Sequence, residues 1–131
     1  MTRKILSYFE LAKNIAFQSN HDVFRHGAIL VKGSKIINAS CNNVHYSKFA
    51  KRFLPRGYSE RFATRHAELS VVLNVCPENT HGADVYVVRI NNDGEFRYSH
   101  PCPMCLNVLE FVGIRNVYYS LNGEGYGKVR I

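Results

Sequence analysis

The chain has 131 residues, of which 46% are hydrophobic and 21% are charged, and its net charge is +7. Because this length can bury a sizeable core and the composition is that of a globular protein, we expect a single domain over residues 1–131. No stretch approaches the ~20 apolar residues that cross a bilayer, and the N-terminus lacks the apolar core of a signal peptide. We therefore predict a cytoplasmic protein with reduced cysteines, no membrane partner and an affinity for anions.

The first half of the chain predicts a helix, a hairpin and a long loop. Residues 4–19 carry apolar side chains at helical spacing along one stripe, as an amphipathic helix does. Two runs rich in β-branched residues, 27–33 and 35–41, meet at a glycine-serine pair and predict a β-hairpin. The segment 42–62 is polar, aromatic and basic, with a proline and a glycine as turn signals, so we expect a long loop there.

The second half predicts alternating helices and strands. Apolar residues at four-residue steps in 63–75 indicate a buried helix, whereas the continuous apolar run 83–90 is typical of a central strand covered on both faces. Residues 105–113 predict a helix that ends at a glycine, followed by a strand over 115–121 and a short strand over 127–131. The order β-β-α-β-α-β favours an α/β protein with helices packed on a mixed central sheet.

Two of the four cysteines, Cys102 and Cys105, lie three residues apart just before an apolar run. On the first turn of a helix this spacing directs both sulfurs to one side, and the helix N-terminus favours the thiolate form that metals bind. Pro103 suits the same turn because it has no amide hydrogen to leave unpaired. In a protein that keeps its thiols reduced, the pair indicates a metal site.

A catalytic zinc site takes three protein ligands and leaves one position for water. His66 is the best third ligand, because it lies near the start of another predicted helix beside Glu68, the only glutamate of that segment. The alternative is a structural zinc site with a fourth protein ligand. The candidates for that ligand are Cys41, Cys76, His26 and His100.

A two-part motif links the chain to a known family. The histidine and glutamate of residues 66–68, together with Pro101, Cys102 and Cys105, resemble the H-x-E and P-C-x-x-C signature of the zinc-dependent cytidine and deoxycytidylate deaminase superfamily. The resemblance spans roughly residues 4–121 and is closest to deoxycytidylate deaminase-like and tRNA adenosine deaminase-like members. It implies one deaminase domain with a three-layer α/β/α cytidine deaminase-like fold, in which a mixed central sheet of about five strands carries helices on both faces.

The resemblance also implies a reaction. One zinc per chain, held by His66, Cys102 and Cys105, would carry a water or hydroxide that attacks carbon 4 of cytosine or carbon 6 of adenine. Glu68 would not be a ligand: it would take the proton of that water, pass it to the ring nitrogen and help to protonate the departing ammonia. The chain is therefore expected to be a hydrolase, specifically a zinc-dependent nucleobase or nucleotide deaminase.

Four residues are expected to bind the substrate. By similarity, the backbone amide of Ala67 contacts the base, and Asn42 falls where the family carries an asparagine that contacts the base or the sugar. Asparagines at strand ends are also common turn formers, and Asn43 is close enough to be confused with its neighbour. Arg25 and Tyr119 are predicted phosphate or sugar contacts from their positions in the chain.

Residues 45–65 concentrate the positive charge, because they hold six basic side chains and one acidic one and so carry +5 of the total. The basic residues are Lys48, Lys51, Arg52, Arg56, Arg61 and Arg65. Aromatic residues alternate with them, a pattern that suits a phosphate group and base stacking. Since the loop leads directly into His66, we expect it to border the mouth of the active site. A solvated basic loop with its aromatic residues in the core is the alternative.

The favoured substrate is a free cytosine nucleotide such as deoxycytidylate, converted to the uracil form with release of ammonia. One alternative substrate is an adenine or cytosine base within tRNA or single-stranded DNA, and the basic loop 45–65 makes such a nucleic-acid partner possible. Another alternative is guanine or cytidine. A third interpretation is a non-catalytic zinc-binding module, and the intact Glu68 argues against it. Relatives commonly form oligomers, so we also expect a homo-oligomer.

Overall fold

The computed structural model describes residues 2–21 and 23–131, which form an α/β protein built on a mixed β-sheet. The helices are α1 (Arg3–Ala16), α2 (Lys48–Lys51), α3 (Ala67–Val72), α4 (Pro77–Thr80) and α5 (Pro103–Phe111), with a 3₁₀ turn at Glu60–Phe62. The strands are β1 (Arg25–Lys32), β2 (Lys35–Cys41), β3 (Asp84–Ile90), β4 (Phe96–Arg97), β5 (Asn116–Ser120) and β6 (Tyr126–Arg130). Within these residues no helix is long and apolar enough to cross a membrane.

The sheet runs in the order β2-β1-β3-β5-β6, and the short β4 pairs with β3. Strand β1 is antiparallel to both β2 and β3, β3 is parallel to β5, and β5 is antiparallel to β6. The predicted hairpin and the predicted central strand are therefore confirmed. The described residues contain six strands where about five were predicted, and the extra one is β4, whose two paired residues leave almost no pattern in the sequence.

Helices cover both faces of the sheet, as predicted. On one face α1 buries Ile5, Phe9, Ala12 and Ala16 against alternate residues of β1 and β3. On the other face α3 and α5 share a second core that includes Leu69, Met104 and Leu109. The strands in the middle of the sheet are thus covered on both sides, which explains the apolar run of residues 85–88 in β3.

Gly27 of β1 lets α1 lie very close to the sheet. A Cβ atom at this position would meet the carbonyl oxygen of Ala12 and would lie 2.8 Å from the backbone nitrogen of Ala16. The clash would involve helix backbone, which cannot rotate away as a side chain can. The close packing of α1 on β1 therefore depends on the absence of a side chain at Gly27.

Two predicted helices are shorter in the structure. The predicted helix 4–19 ends at Ala16, and the helix predicted over 63–75 spans only Ala67–Val72. Its start is delayed because His66 has extended backbone angles and Thr64 forms an isolated β-bridge with Tyr46. Its end comes early because Leu73 is extended and Asn74 adopts a left-handed conformation, with φ of 60°. Helix α2 interrupts the predicted loop 42–62, and α4 was not predicted.

Candidate active site

The starts of two helices bring the predicted metal ligands together. His66 is the N-cap of α3 and Cys102 is the N-cap of α5, while Cys105 lies on the first turn of α5. The Nδ1 atom of His66 lies 3.5 Å from Sγ of Cys102 and 3.3 Å from Sγ of Cys105. All three ligand atoms are within 4.8 Å of one another, so they face a common point.

This donor set fits zinc. A tetrahedral zinc ion with bonds of about 2.3 Å to sulfur and about 2.0 Å to nitrogen separates the two kinds of donor by roughly 3.5 Å, close to both observed distances. Among the described residues no further histidine, cysteine or carboxylate joins these three as a fourth ligand. Cys41, Cys76, His26 and His100, the candidates for a fourth ligand, lie outside the group. A set of three protein ligands is the arrangement that leaves a position for water.

The pKa values of the two cysteines shift in opposite directions in the metal-free chain. A hydrogen bond from the Cys105 thiol lowers the pKa of Cys102 to about 4, and burial opposes this change. The same hydrogen bond, together with burial, raises the pKa of Cys105 well above its usual value. Burial alone would lower the pKa of His66, but its interactions with Cys102 and Glu68 raise it. A Cys102 thiolate beside the imidazole of His66 favours the binding of a metal cation.

Glu68 lies two residues beyond the histidine ligand, on the first turn of α3, and only 5% of its surface is exposed. Burial raises the pKa of its carboxyl group, while the neighbouring His66 acts in the opposite direction. A carboxyl group with a raised pKa exchanges protons closer to neutral pH than an exposed glutamate does. Glu68 thus lies beside the histidine ligand with a raised pKa, and its predicted role in proton transfer stays a prediction.

A cavity of about 500 Å³ opens over this cluster, with His66, Cys102 and Glu68 in its lining. Its other lining residues come from the α1–β1 connection and the start of β1, from the segment after β2, from the 3₁₀ turn and the segment after it, and from the segment before α5. The volume lies within the range of roughly 300–1,000 Å³ that small-molecule sites occupy. The metal cluster and the buried carboxyl group are thus accessible to a ligand the size of a nucleotide.

A family model for the cytidine and deoxycytidylate deaminase zinc-binding region matches residues 2–121. The chain belongs to this deaminase family. It is accordingly a zinc-dependent hydrolytic deaminase, which confirms the predicted superfamily and the predicted class of enzyme.

Two solved structures resemble the deaminase in fold. The dCMP deaminase from the cyanophage S-TIM5 in its apo form gives a TM-score of 0.63 at 21% identity, covering 91% of this chain and 84% of that one. The S-TIM5 dCMP deaminase in complex with dCMP and dUMP gives a TM-score of 0.53 at 19% identity, covering 91% and 82%. No curated protein sequence gives a significant match. The predicted α/β fold is confirmed by this likeness.

Asn42 lies in the cavity of this deaminase, and its carboxamide already has two backbone partners. Its Oδ1 accepts a hydrogen bond of 2.9 Å from the amide of His26, and its Nδ2 donates one of 2.8 Å to the carbonyl oxygen of Phe24. One N–H and one lone pair are left for a ligand. Asn42 therefore fixes the start of β1, and its predicted contact with the substrate stays a prediction.

The other three predicted substrate contacts are not part of the cavity lining of the deaminase. Ala67 is buried between the histidine ligand and Glu68, so only its backbone amide is relevant to the prediction. Tyr119 packs its ring edge-on against His100, 4.9 Å away, and His100 does line the cavity. Arg25 begins β1 next to lining residues. The roles of these three residues remain predictions.

The basic loop of the deaminase is divided between two surfaces. Arg61 lines the cavity, whereas Lys48 and Arg65 line a separate depression of about 800 Å³. Lys51 is paired with Glu60 at 2.7 Å. The expectation that the loop borders the active site is thus met by part of it.

Sequence reasoning did not single out the lining residues Phe24 and Ser99, and it considered His26 only as a possible fourth zinc ligand. Phe24 lies just before β1 and His26 lies within it, and Ser99 precedes the cysteine motif. The predicted hairpin could have indicated Phe24 and His26, because it pairs the start of β1 with the end of β2 and so brings both residues near Asn42. Burial, followed by the positive charge of Arg89, lowers the pKa of His26 to about 4, so its imidazole is neutral in the cavity.

Proposed function

We propose that this deaminase converts a cytosine nucleotide of the deoxycytidylate type into its uracil form, with release of ammonia. The observation that supports this substrate is the distribution of charge around the cavity. Among the described residues, Arg61 is the one lysine or arginine in the lining of the cavity that also contains His66 and Glu68. One guanidinium complements one phosphate group, whereas a polynucleotide engages several cations along its backbone.

In this proposal His66, Cys102 and Cys105 hold one zinc ion. Bound zinc supplies a water whose pKa is lowered towards about 7, which makes a nucleophile available at neutral pH. Glu68 would take one proton from the attacking water and give it to ring nitrogen 3. It would then carry the second proton, from the new hydroxyl group on carbon 4, to the exocyclic amine as the carbon–nitrogen bond breaks, so that ammonia would leave and a carbonyl group would remain.

The start of α3 orients the base in this proposal. Ala67 is the first residue of α3, where backbone N–H groups have no partner within the helix, so its amide can donate to the base. Asn42 lines the same cavity with one free N–H and one free lone pair, which would bind the sugar or the base. Tyr119 would act through His100, which it contacts.

A second candidate substrate is a base within single-stranded tRNA or DNA. Two aromatic side chains at the cavity, Phe24 and Phe62, are 45% and 53% exposed, and exposed rings of this kind stack on unpaired bases. Salt distinguishes the two candidates, because polynucleotide binding through several cations weakens steeply as salt rises.

The expectation of a homo-oligomer can be checked on the same protein by light scattering.

The experiment measures ammonia release by the zinc-loaded chain from cytosine, cytidine, deoxycytidylate, guanine and adenosine-containing oligonucleotides. We expect the highest kcat/KM for deoxycytidylate, with little dependence on salt. Arg61→Gln should raise KM for deoxycytidylate and leave KM for cytidine unchanged. Arg65→Gln is the matched control, because it removes the same charge from the same loop at the separate depression. Equal kcat/KM for cytidine and deoxycytidylate, or a steep loss with salt, would refute the mononucleotide assignment.

A further inference from the structure

Strand β2 is one of the two edges of the sheet, and part of its backbone has no partner. It pairs with β1 on one side, and no other strand of the described residues pairs with it on the other. The amide of Asn42 bonds to the carbonyl oxygen of His26, so in an antiparallel ladder the backbone groups of Cys41 and Ala39 point away from β1. Within the described chain neither residue has a backbone hydrogen bond in a turn, loop or cap. Their N–H and C=O groups are therefore free to pair with another strand.

Strand β2 also lacks the features that protect edge strands from pairing with other chains. Charged side chains, lysine above all, are a common protection. The opposite edge, β6, carries Lys128 and Arg130, and both are exposed. The one charged residue of β2 is Lys35, directly after the hairpin turn, and residues 36–41 are uncharged. Of the two edges, β2 is the one that is open to an added strand.

The depression of about 800 Å³ lies along this edge. Its lining includes the consecutive residues Ala39, Ser40 and Cys41, whose side chains alternate between the two faces of the sheet. One wall comes from the end of α1, and the other comes from α2 and the end of α3, on the opposite face. The walls contribute apolar surface from Ile15, Phe49 and Leu73. An extended chain paired with β2 would place alternate side chains against these two walls.

The depression is positively charged. Lys48 and Arg65 line it, both are exposed, and none of the described aspartates and glutamates does so. Neither cation forms a salt bridge with a described residue. The carbonyl oxygen of Arg65 accepts a hydrogen bond of 2.9 Å from the amide of Asn43, so its backbone lies beside the continuation of β2. Both cations are thus available to carboxylate groups of a bound chain.

We propose that β2 and the depression bind an extended, acidic segment of a partner protein, which adds a strand to the sheet. In this binding mode main-chain hydrogen bonds provide affinity, and pockets for alternate side chains provide specificity. Carboxylates of the segment pair with Lys48 and Arg65. A second copy of the chain is a poor match, because it has a net charge of +7 and would bring the same two cations.

The bound segment leaves the reaction site open. Among the described residues, the linings of the cavity and of the depression share Asn43 alone. The metal ligands and Glu68 are not part of the lining of the depression. The inference therefore goes beyond the proposed function and does not depend on which base the enzyme deaminates.

A random heptapeptide library displayed on phage, selected on the zinc-loaded chain, provides the probe for the first test. We expect acidic and β-branched residues at alternating positions of the selected peptides, without internal proline. The selected consensus peptide is synthesised, and its Kd is measured by fluorescence anisotropy. Lys48→Gln combined with Arg65→Gln should weaken binding by about 2- to 30-fold, since each exposed ion pair contributes modestly. Lys128→Gln combined with Arg130→Gln is the matched control, because it removes two charges from the opposite edge, and its Kd should equal that of the parent.

Amide hydrogen exchange, followed by NMR on the zinc-loaded chain with and without the peptide, tests the backbone pairing. The amides of Ala39 and Cys41 point away from β1, so they should be protected only when the peptide is bound. The amide of Ser40 points towards β1 and should be protected in both states.

These two experiments decide the proposal. An acidic consensus, weaker binding in the first double variant alone, and new protection at Ala39 and Cys41 support it. Selection without an enriched acidic sequence, equal Kd in the two double variants, or unchanged exchange at both amides refutes it. Protection that appears without peptide and grows with protein concentration means that a second copy occupies the edge, which also refutes it.

Discussion

Replacing Gly27 with alanine should destabilise the protein through the packing of α1 on the sheet. The new Cβ would lie 2.8 Å from the backbone nitrogen of Ala16 and would meet the carbonyl oxygen of Ala12. An ordinary carbon contact is about 3.5 Å or longer, so the helix must move away by more than half an ångström. Phe9 and its neighbours on the buried stripe of α1 would then lose contact with β1 and β3.

The expected decrease in the free energy of unfolding follows from the rigidity of the atoms that must move. Overpacking of a well-packed core costs about 1–3 kcal/mol, and Gly27→Ala should reach the upper part of that range because helix backbone cannot rotate aside. For a chain of this size that corresponds to a fall in Tm of roughly 5–15 °C. Thermal and urea unfolding, followed by circular dichroism, measure the change.

Gly127→Ala is the matched comparison. A Cβ at Gly127 would also collide with a neighbour, but the neighbour is the end of the Tyr119 side chain across the β5–β6 pair. That ring can move, so the loss should be well below that of Gly27→Ala. If both variants lost the same stability, or if Gly27→Ala lost none, the assignment of a rigid contact between α1 and β1 would be wrong.

Three further predictions concern the site. Glu68→Gln should keep its zinc and lose about 10²- to 10⁴-fold in kcat. Because burial raises the pKa of Glu68, the metal-free parent should lose stability as pH rises from about 4.5 through that pKa. Metal-free Glu68→Gln should show no such loss when its unfolding is measured against pH. Cys102→Ala should lose zinc in elemental analysis and lose stability, whereas Cys76→Ala, at an exposed thiol, should keep both; unchanged zinc in Cys102→Ala would contradict the ligand set. Because the pKa of His26 falls from 6.5 to about 4 on folding, stability should be complete above pH 6.5 and decline as pH falls towards 4, by about 3 kcal/mol. His26→Gln should show a smaller decline in stability over the same pH range. An NMR titration in which the His26 imidazole has its ordinary pKa would contradict this prediction.

The metal cluster was predictable from the sequence because its chemistry demands particular residues at particular spacings. Two cysteines three residues apart at a helix start, with a histidine and a glutamate at another, leave few other arrangements of the chain. The sheet was predictable for a related reason, since a buried strand such as β3 carries an apolar run, here residues 85–88. Both signals are local, and the fold only has to bring them together.

The walls of the cavity were less predictable because they depend on contacts between distant segments. Nothing within the loop indicates that Arg61 faces the cavity while Arg65 faces another surface, since the direction of each side chain is set by the 3₁₀ turn and the bridge between Tyr46 and Thr64. Phe24 gave no periodic signal either. Its place is determined by Asn42 and Arg89, which lie 18 and 65 residues further along the chain.

The metal ligands and the mouth of the cavity belong to different kinds of structure. His66, Cys102 and Cys105 are anchored at helix starts that pack on the sheet, whereas Phe24 and Arg61 are on connections outside the regular strands and α-helices. Exchange of those connections between relatives can consequently redirect substrate choice while the reactive centre keeps its geometry. Laboratory evolution aimed at a new base should randomise the connections first and spare the helix starts.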